Sequence, residues 1–135
     1  MRSPASPLRC VIVDDSTAFL QAATMLLEGD GFAVVGVAST VAEALERVAE
    51  LRPDVALVDV YLGAESGFDL AQQLDQAGWS SQLAVILTST HAPDEFGDMI
   101  SETPVLGFLP KEALSTHAIR HLLDGCGGQT GARIV

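Results

Sequence analysis

The chain predicts an α/β protein with a five-stranded parallel sheet covered by five helices on both faces, and three observations support that reading. Five apolar, strand-like runs, at 8–13, 32–37, 55–58, 83–87 and 105–109, alternate with segments of helical periodicity. The runs at 55–58 and 83–87 are apolar at every position, as strands buried on both sides require. All but the second run end on a charged or hydroxyl side chain: Asp14 and Asp15, then Asp59, Thr88 and Lys111.

Each helix has its own local warrant. The first begins at Ser16 or Thr17 as N-cap, shows the stripe Phe19, Ala22, Ala23 and Leu26, and meets Gly29 and Gly31 as stop signals. The second opens on a capping box, Thr40 to Glu43, buries Val41, Ala44, Leu45 and Val48, and ends before Pro53. The third starts near Ser66, buries Leu70, Ala71 and Leu74, and stops at Gly78. The fourth is short: Pro93 suits its first turn, Asp94 and Glu95 its positive end, and Phe96, Met99 and Ile100 its inner stripe. The fifth spans about 112–123 with Leu114, Ala118 and Leu122 inward.

With 135 residues and 48% hydrophobic content, the chain can bury one core and is too apolar to be disordered. No apolar run approaches the roughly 18 residues that span a bilayer, and prolines at positions 4 and 7 break the lead that a signal peptide would use. Residues 1–7 therefore read as a flexible lead, 8–124 as the domain and 125–135 as a flexible tail. Cys10 and Cys126 have neither the number nor the spacing of a disulfide framework or zinc site, which suits a reducing cytoplasm. A net charge of −11, from 18 acids against 7 bases, repels nucleic acid and anionic lipid, so neither is expected as a direct partner.

Side chains at the carboxyl ends of parallel strands line the crevice where such sheets bind ligands. Three carboxylates within about 4 Å would repel by roughly 4 kcal/mol per pair at an effective dielectric near 20, which calls for a bound cation. Oxygen ligands select a hard ion, Mg2+ or Mn2+. Taken alone, Asp14 and Asp15 fit a helix cap and a first-turn acid; Asp59, ending an apolar strand opposite them, has no such structural account. Lys111 is the only lysine in the chain. Beside a strand end, it is better explained as a counter-charge for an anion than as a solvated loop cation.

Over residues 8–124 these features resemble the receiver domain of two-component response regulators. The resemblance rests on Asp14-Asp15 after 11–13, Asp59 within 57–62, Thr88-Ser89 after 85–87, and Lys111 closing 107–111. It implies a flavodoxin-like, doubly wound sheet of order 2-1-3-4-5, with helices one and five on one face and two, three and four on the other. It further implies that Asp59 is the phosphoacceptor, Asp15 a direct metal ligand, Asp14 a ligand through water, and the Tyr61 carbonyl a fourth donor. Thr88 and Lys111 would bind phosphoryl oxygens, with Phe108 as the aromatic switch partner of Thr88. Tyr61, Ser89 and Thr90 would modulate access to the acyl phosphate. Glu112 stands where many members have proline, so no cis peptide is implied after Lys111.

The implied partners are a sensor histidine kinase or phosphotransfer protein upstream. Downstream, a protein partner or a second copy would bind at helix four, strand five and helix five. The stretches 63–70 and 109–111 also look like receivers that precede a helix-turn-helix domain, which leaves a stand-alone receiver and a part of a longer regulator both open. Two other readings are weaker. A magnesium-dependent phosphohydrolase expects a second aspartate where Tyr61 stands, and a receiver-like module working without phosphorylation usually lacks one of the acids or the lysine. The phosphohydrolase class also expects a cap domain, for which the chain has no room, whereas all the acids and the lysine that interaction modules tend to lose are present.

Overall fold

The computed structural model describes residues 7–28, 30–124 and 133–134. Residues 1–6, Gly29, Cys126 and most of the expected tail lie outside them. Strands β1 (Leu8–Val13), β2 (Phe32–Ala38) and β3 (Val55–Asp59) are followed by a two-stranded hairpin, β4 (Tyr61–Leu62) and β5 (Glu65–Ser66). Strands β6 (Ala84–Ser89), β7 (Gly107–Pro110) and β8 (Arg133–Ile134) complete the set. Helices α1 (Thr17–Glu28), α2 (Val41–Leu51), α3 (Gly67–Gln76), α4 (Met99–Glu102) and α5 (Thr116–Asp124) lie between them.

The main sheet has the order β2-β1-β3-β6-β7-β8, all pairs parallel. Its first five strands give the flavodoxin-like order expected from the resemblance. The sixth was not expected: Arg133 and Ile134 lie opposite Gly107 and Phe108 on the β7 edge, within a segment read as a free tail.

Alternation along the strands divides the core. Val11, Val13, Ala56, Val58, Val85, Leu87 and Phe108 face one way and pack with Val41, Ala44 and Val48 of α2, Leu70, Ala71 and Leu74 of α3, and Phe96 and Ile100. Cys10, Ile12, Val55, Leu57, Ile86 and Leu109 face the other way, against Ala23 and Leu27 of α1 and Ala118, Ile119 and Leu122 of α5. Each fully buried aliphatic side chain contributes about 1.5–3 kcal/mol by leaving water, so both filled faces hold the helices against the sheet. Burial pushes the Cys10 thiol up to about 12, leaving it an inert core residue. No helix among the described residues is long and apolar enough to cross a membrane.

Several local expectations need correction. The inner face of α1 is Phe19, Ala23 and Leu27, spaced by four, while Ala22 and Leu26 face solvent. Helix four is broken: a 3-10 turn at Pro93–Phe96 unwinds at Gly97 (φ 58°) before the single turn of α4. Phe96 and Ile100 stay buried across the break, but Met99 is half exposed. Helix five starts later than 112, because Lys111–Ala113 form a 3-10 turn and Leu114 is extended. The cap is Ser115, whose Oγ accepts from Ala118 N at 3.0 Å.

Candidate functional site

The site forms where β1, β3, β6 and β7 end together. β1 stops at Val13, and the Asp14 N–H continues its ladder to the Ala38 carbonyl at 2.9 Å. Asp14 Oδ1 accepts from Ser16 N at 2.8 Å, and Ser16 Oγ in turn accepts from Phe19 N at 3.3 Å, capping α1. Asp14 is thereby fully buried, with Asp15 exposed beside it. Asp59 is the last residue of β3, buried, its Oδ1 taking the Tyr61 N–H at 3.3 Å. One carboxylate oxygen from each of Asp14, Asp15 and Asp59 lies within 4.8 Å of the others.

Lys111 follows β7 and reaches back over the strand ends. Its Nζ stands 2.7 Å from Asp14 Oδ2 and 3.3 Å from Asp59 Oδ2. Burial works against the ammonium, yet the two carboxylates outweigh it and raise the lysine above its ordinary value. Asp59 is raised as well, first by burial and then by the Asp14 charge, with Lys111 offsetting only part. Register places Thr88 directly opposite Asp59, almost fully buried, and the Thr88 carbonyl accepts from Val60 N at 2.9 Å.

The remaining expected residues surround this cluster. Ser89 is buried and its Oγ accepts from His91 N at 3.0 Å; Thr90 is exposed. Tyr61 is half exposed, its ring set edge-on to His91 at 5.0 Å and 5.9 Å from Phe96. Phe108 is fully buried with its ring 5.9 Å from Phe96, so Phe96 contacts the rings of both Tyr61 and Phe108.

Four residues escaped sequence reasoning as parts of the site. Phe96 was read only as core, and nothing pointed to His91. Phe19 was read as part of a core stripe, yet its ring lies under Lys111 with Nζ 4.5 Å from the centroid. Gly67 entered the sequence reading only as part of the stretch 63–70. A Cβ there would meet the Asp59 carbonyl oxygen at 2.2 Å, so only glycine allows α3 to begin against the end of β3. The Ser-Gly pair after a hairpin was the one available signal.

The donor set fits a hard divalent ion. All candidate ligands are oxygens, and Asp14 Oδ2, though buried, accepts no hydrogen bond among the described residues and is met by Lys111 only as an ion pair.

A parallel sheet of this order with an acidic crevice and a single lysine defines a receiver-type fold and site. The family model for the response regulator receiver domain matches residues 10–123, and the chain belongs to that family. It is similar to the response regulator GacA of Pseudomonas viridiflava, 29% identical over 78% of this chain and 49% of that protein. It is also similar to the DNA-binding response regulator MtrA of Mycolicibacterium smegmatis, 40% identical over 49% of this chain and 28% of that protein. Among solved structures, the signal receiver domain of the response regulator NarL from Mycobacterium tuberculosis superposes with a TM-score of 0.79. It shares 27% identity, over 92% of this chain and 99% of that one. The chain spans about half the length, or less, of these curated relatives.

Proposed function

We propose that the chain is a phosphorylation switch in which Asp59 accepts a phosphoryl group from a histidine kinase or phosphotransfer protein. The observation that carries this reading is the pairing of Asp59 with Lys111 at 3.3 Å, in register with Thr88 and within ligand distance of Asp14 and Asp15. An Asp59 carboxylate oxygen attacks phosphorus in line, the phosphorus–nitrogen bond of a phosphohistidine breaks, and the imidazole leaves with its electron pair. Lys111 and the Thr88 hydroxyl are the chain's own donors to the phosphoryl oxygens.

Asp15, Asp59 and the Tyr61 carbonyl would hold Mg2+ or Mn2+ directly, and Asp14 through water. The ion supplies charge neutralisation for the transferring group. The ring of Tyr61, together with Ser89 and Thr90, narrows the approach of water and sets the lifetime of the acyl phosphate. Phosphorylation draws Thr88 toward the phosphate, and repacking of Phe108 carries the change to the face of α4, β7 and α5. A protein partner or a second copy reads that face. The protein works in the cytoplasm and turns over no separate substrate.

Incubation with Mg2+ and acetyl phosphate, followed by intact mass and peptide mapping, tests the reading. A single phosphoryl addition on Asp59 is expected. Steady release of phosphate from unrelated phosphomonoesters would instead indicate a phosphohydrolase.

A further inference from the structure

We infer that Phe19 is a positioning residue for Lys111, an inference that rests on the phosphoryl-acceptor reading of Asp59. The ammonium of Lys111 has Asp14 and Asp59 on one side, and the ring of Phe19, 4.5 Å away at its centroid, on another. Phe19 is half-buried, so the contact is partly desolvated, where an ammonium gains most from an aromatic face.

The ring is held by the same short turn that holds the acid. Phe19 N–H donates to Ser16 Oγ, and Ser16 N–H donates to Asp14 Oδ1, so the acid and the backbone that carries the ring are tied to one turn at the start of α1. Ala23 and Leu27, continuing the same helical face, anchor that turn in the core. Lys111 arrives from β7 on four rotatable carbons, held at its far end, among the described residues, only by the two carboxylates and the ring.

The residue type matters. A third carboxylate under Lys111 would hold it more strongly, but would add repulsion against an incoming phosphoryl group in an already acidic crevice. An aliphatic side chain would fill the space without attracting the ammonium. The phenyl quadrupole attracts the cation while adding no formal charge, leaving the ammonium near Asp59 and free to turn toward phosphoryl oxygens.

Because Lys111 is the only lysine, labelling lysine with 13C and 15N gives one side-chain signal set that reports its environment directly. In Phe19→Leu the upfield ring-current displacement of the Lys111 ε-methylene should vanish. Phosphorylation by acetyl phosphate at saturating Mg2+ should slow by about threefold to tenfold, the range a partly desolvated cation–π contact supports. Phe19→Tyr, which keeps an aromatic face, should restore both. Unchanged lysine signals and rate in Phe19→Leu would overturn the inference, as would a Phe19→Tyr variant as slow as Phe19→Leu. If wild type takes no phosphate while the lysine signal still moves in Phe19→Leu, the acceptor reading fails and the placement of Lys111 stands.

Discussion

Lys111 lies closer to Asp14 than to the candidate phosphoacceptor: its Nζ is 2.7 Å from Asp14 Oδ2 and 3.3 Å from Asp59 Oδ2. The buried acid therefore competes with the acceptor for the one lysine. Any group that satisfied Asp14 would free Lys111 to turn toward Asp59, so the acidic cluster and the lysine are linked through a single oxygen.

Asp59→Asn should abolish phosphorylation, since the amide is nearly isosteric but cannot attack phosphorus. Without metal it should also be the more stable protein near neutral pH. Burial and the Asp14 charge raise Asp59 above the ordinary 3.8, so stability linked to its protonated form is present below 3.8 and lost as pH rises through the raised value. Lys111, raised above 10.5, contributes below 10.5 and loses that contribution only as pH climbs through its own raised value. Thermal unfolding in a chelator should show Asp59→Asn ahead by a few degrees at pH 7, the gap closing below pH 3.8. A constant gap across that range would show that crowding of the ionised carboxylates is not its cause.

Asp15→Asn should weaken Mg2+ binding more than Asp14→Asn does. Asp15 is exposed and able to ligate directly, whereas Asp14 already gives one oxygen to Ser16 and the other to Lys111. Calorimetric titration of both variants gives the order, and a reversed order would place Asp14 in the inner shell.

Gly67→Ala should damage acceptor and fold together. Its methyl would sit 2.2 Å from the Asp59 carbonyl oxygen and 2.9 Å from the carbonyl carbon, atoms of a central strand that cannot yield as a flexible side chain would. Overpacking of this kind costs about 1–3 kcal/mol. Denaturant unfolding should show a loss in that range, with slower labelling of Asp59 in the protein that remains folded. Wild-type stability in Gly67→Ala would mean that α3 can slide away from β3.

Thr88→Ala should leave Asp59 able to accept phosphate yet uncouple it from the face beyond Phe108. Beryllofluoride, a stable stand-in for the phosphoryl group, should shift the amide resonances of residues 93–123 in wild type and far less in the variant. Equal shifts would show that the signal travels another way. The contacts of Phe96 with both Tyr61 and Phe108 make it the first alternative to examine.

Much of this molecule was legible in one dimension because it depends on short-range rules. The alternation of buried runs and helical periods dictates a parallel α/β sheet, and the Thr40–Glu43 box starts α2 where expected. There Thr40 Oγ1 takes the Glu43 N–H, while Glu43 turns back to Ser39 rather than to Thr40. Ending apolar strands on Asp14, Asp59 and Thr88 and setting Lys111 just past the fifth was enough to foresee one cluster, since parallel strands end on the same edge.

Tertiary packing decided what those rules leave degenerate. Helix α1 carries Thr17, Gln21, Thr24 and Glu28 on one polar stripe, and the 19, 22, 23, 26 stripe lies opposite it; packing of Ala23 and Leu27 against the sheet and α5 turned the buried face to 19, 23, 27. The strand at Arg133–Ile134 and the need for glycine at 67 are likewise set by another strand, β7 in the first case and the end of β3 in the second. The contact of Phe19 with Lys111 belongs with them, joining the start of α1 to the end of β7. Residue type and spacing determine which groups can meet at a sheet edge. Distances, burial and the choice of partner among several like charges emerge only once the chain has closed on itself, because each depends on atoms supplied by another strand.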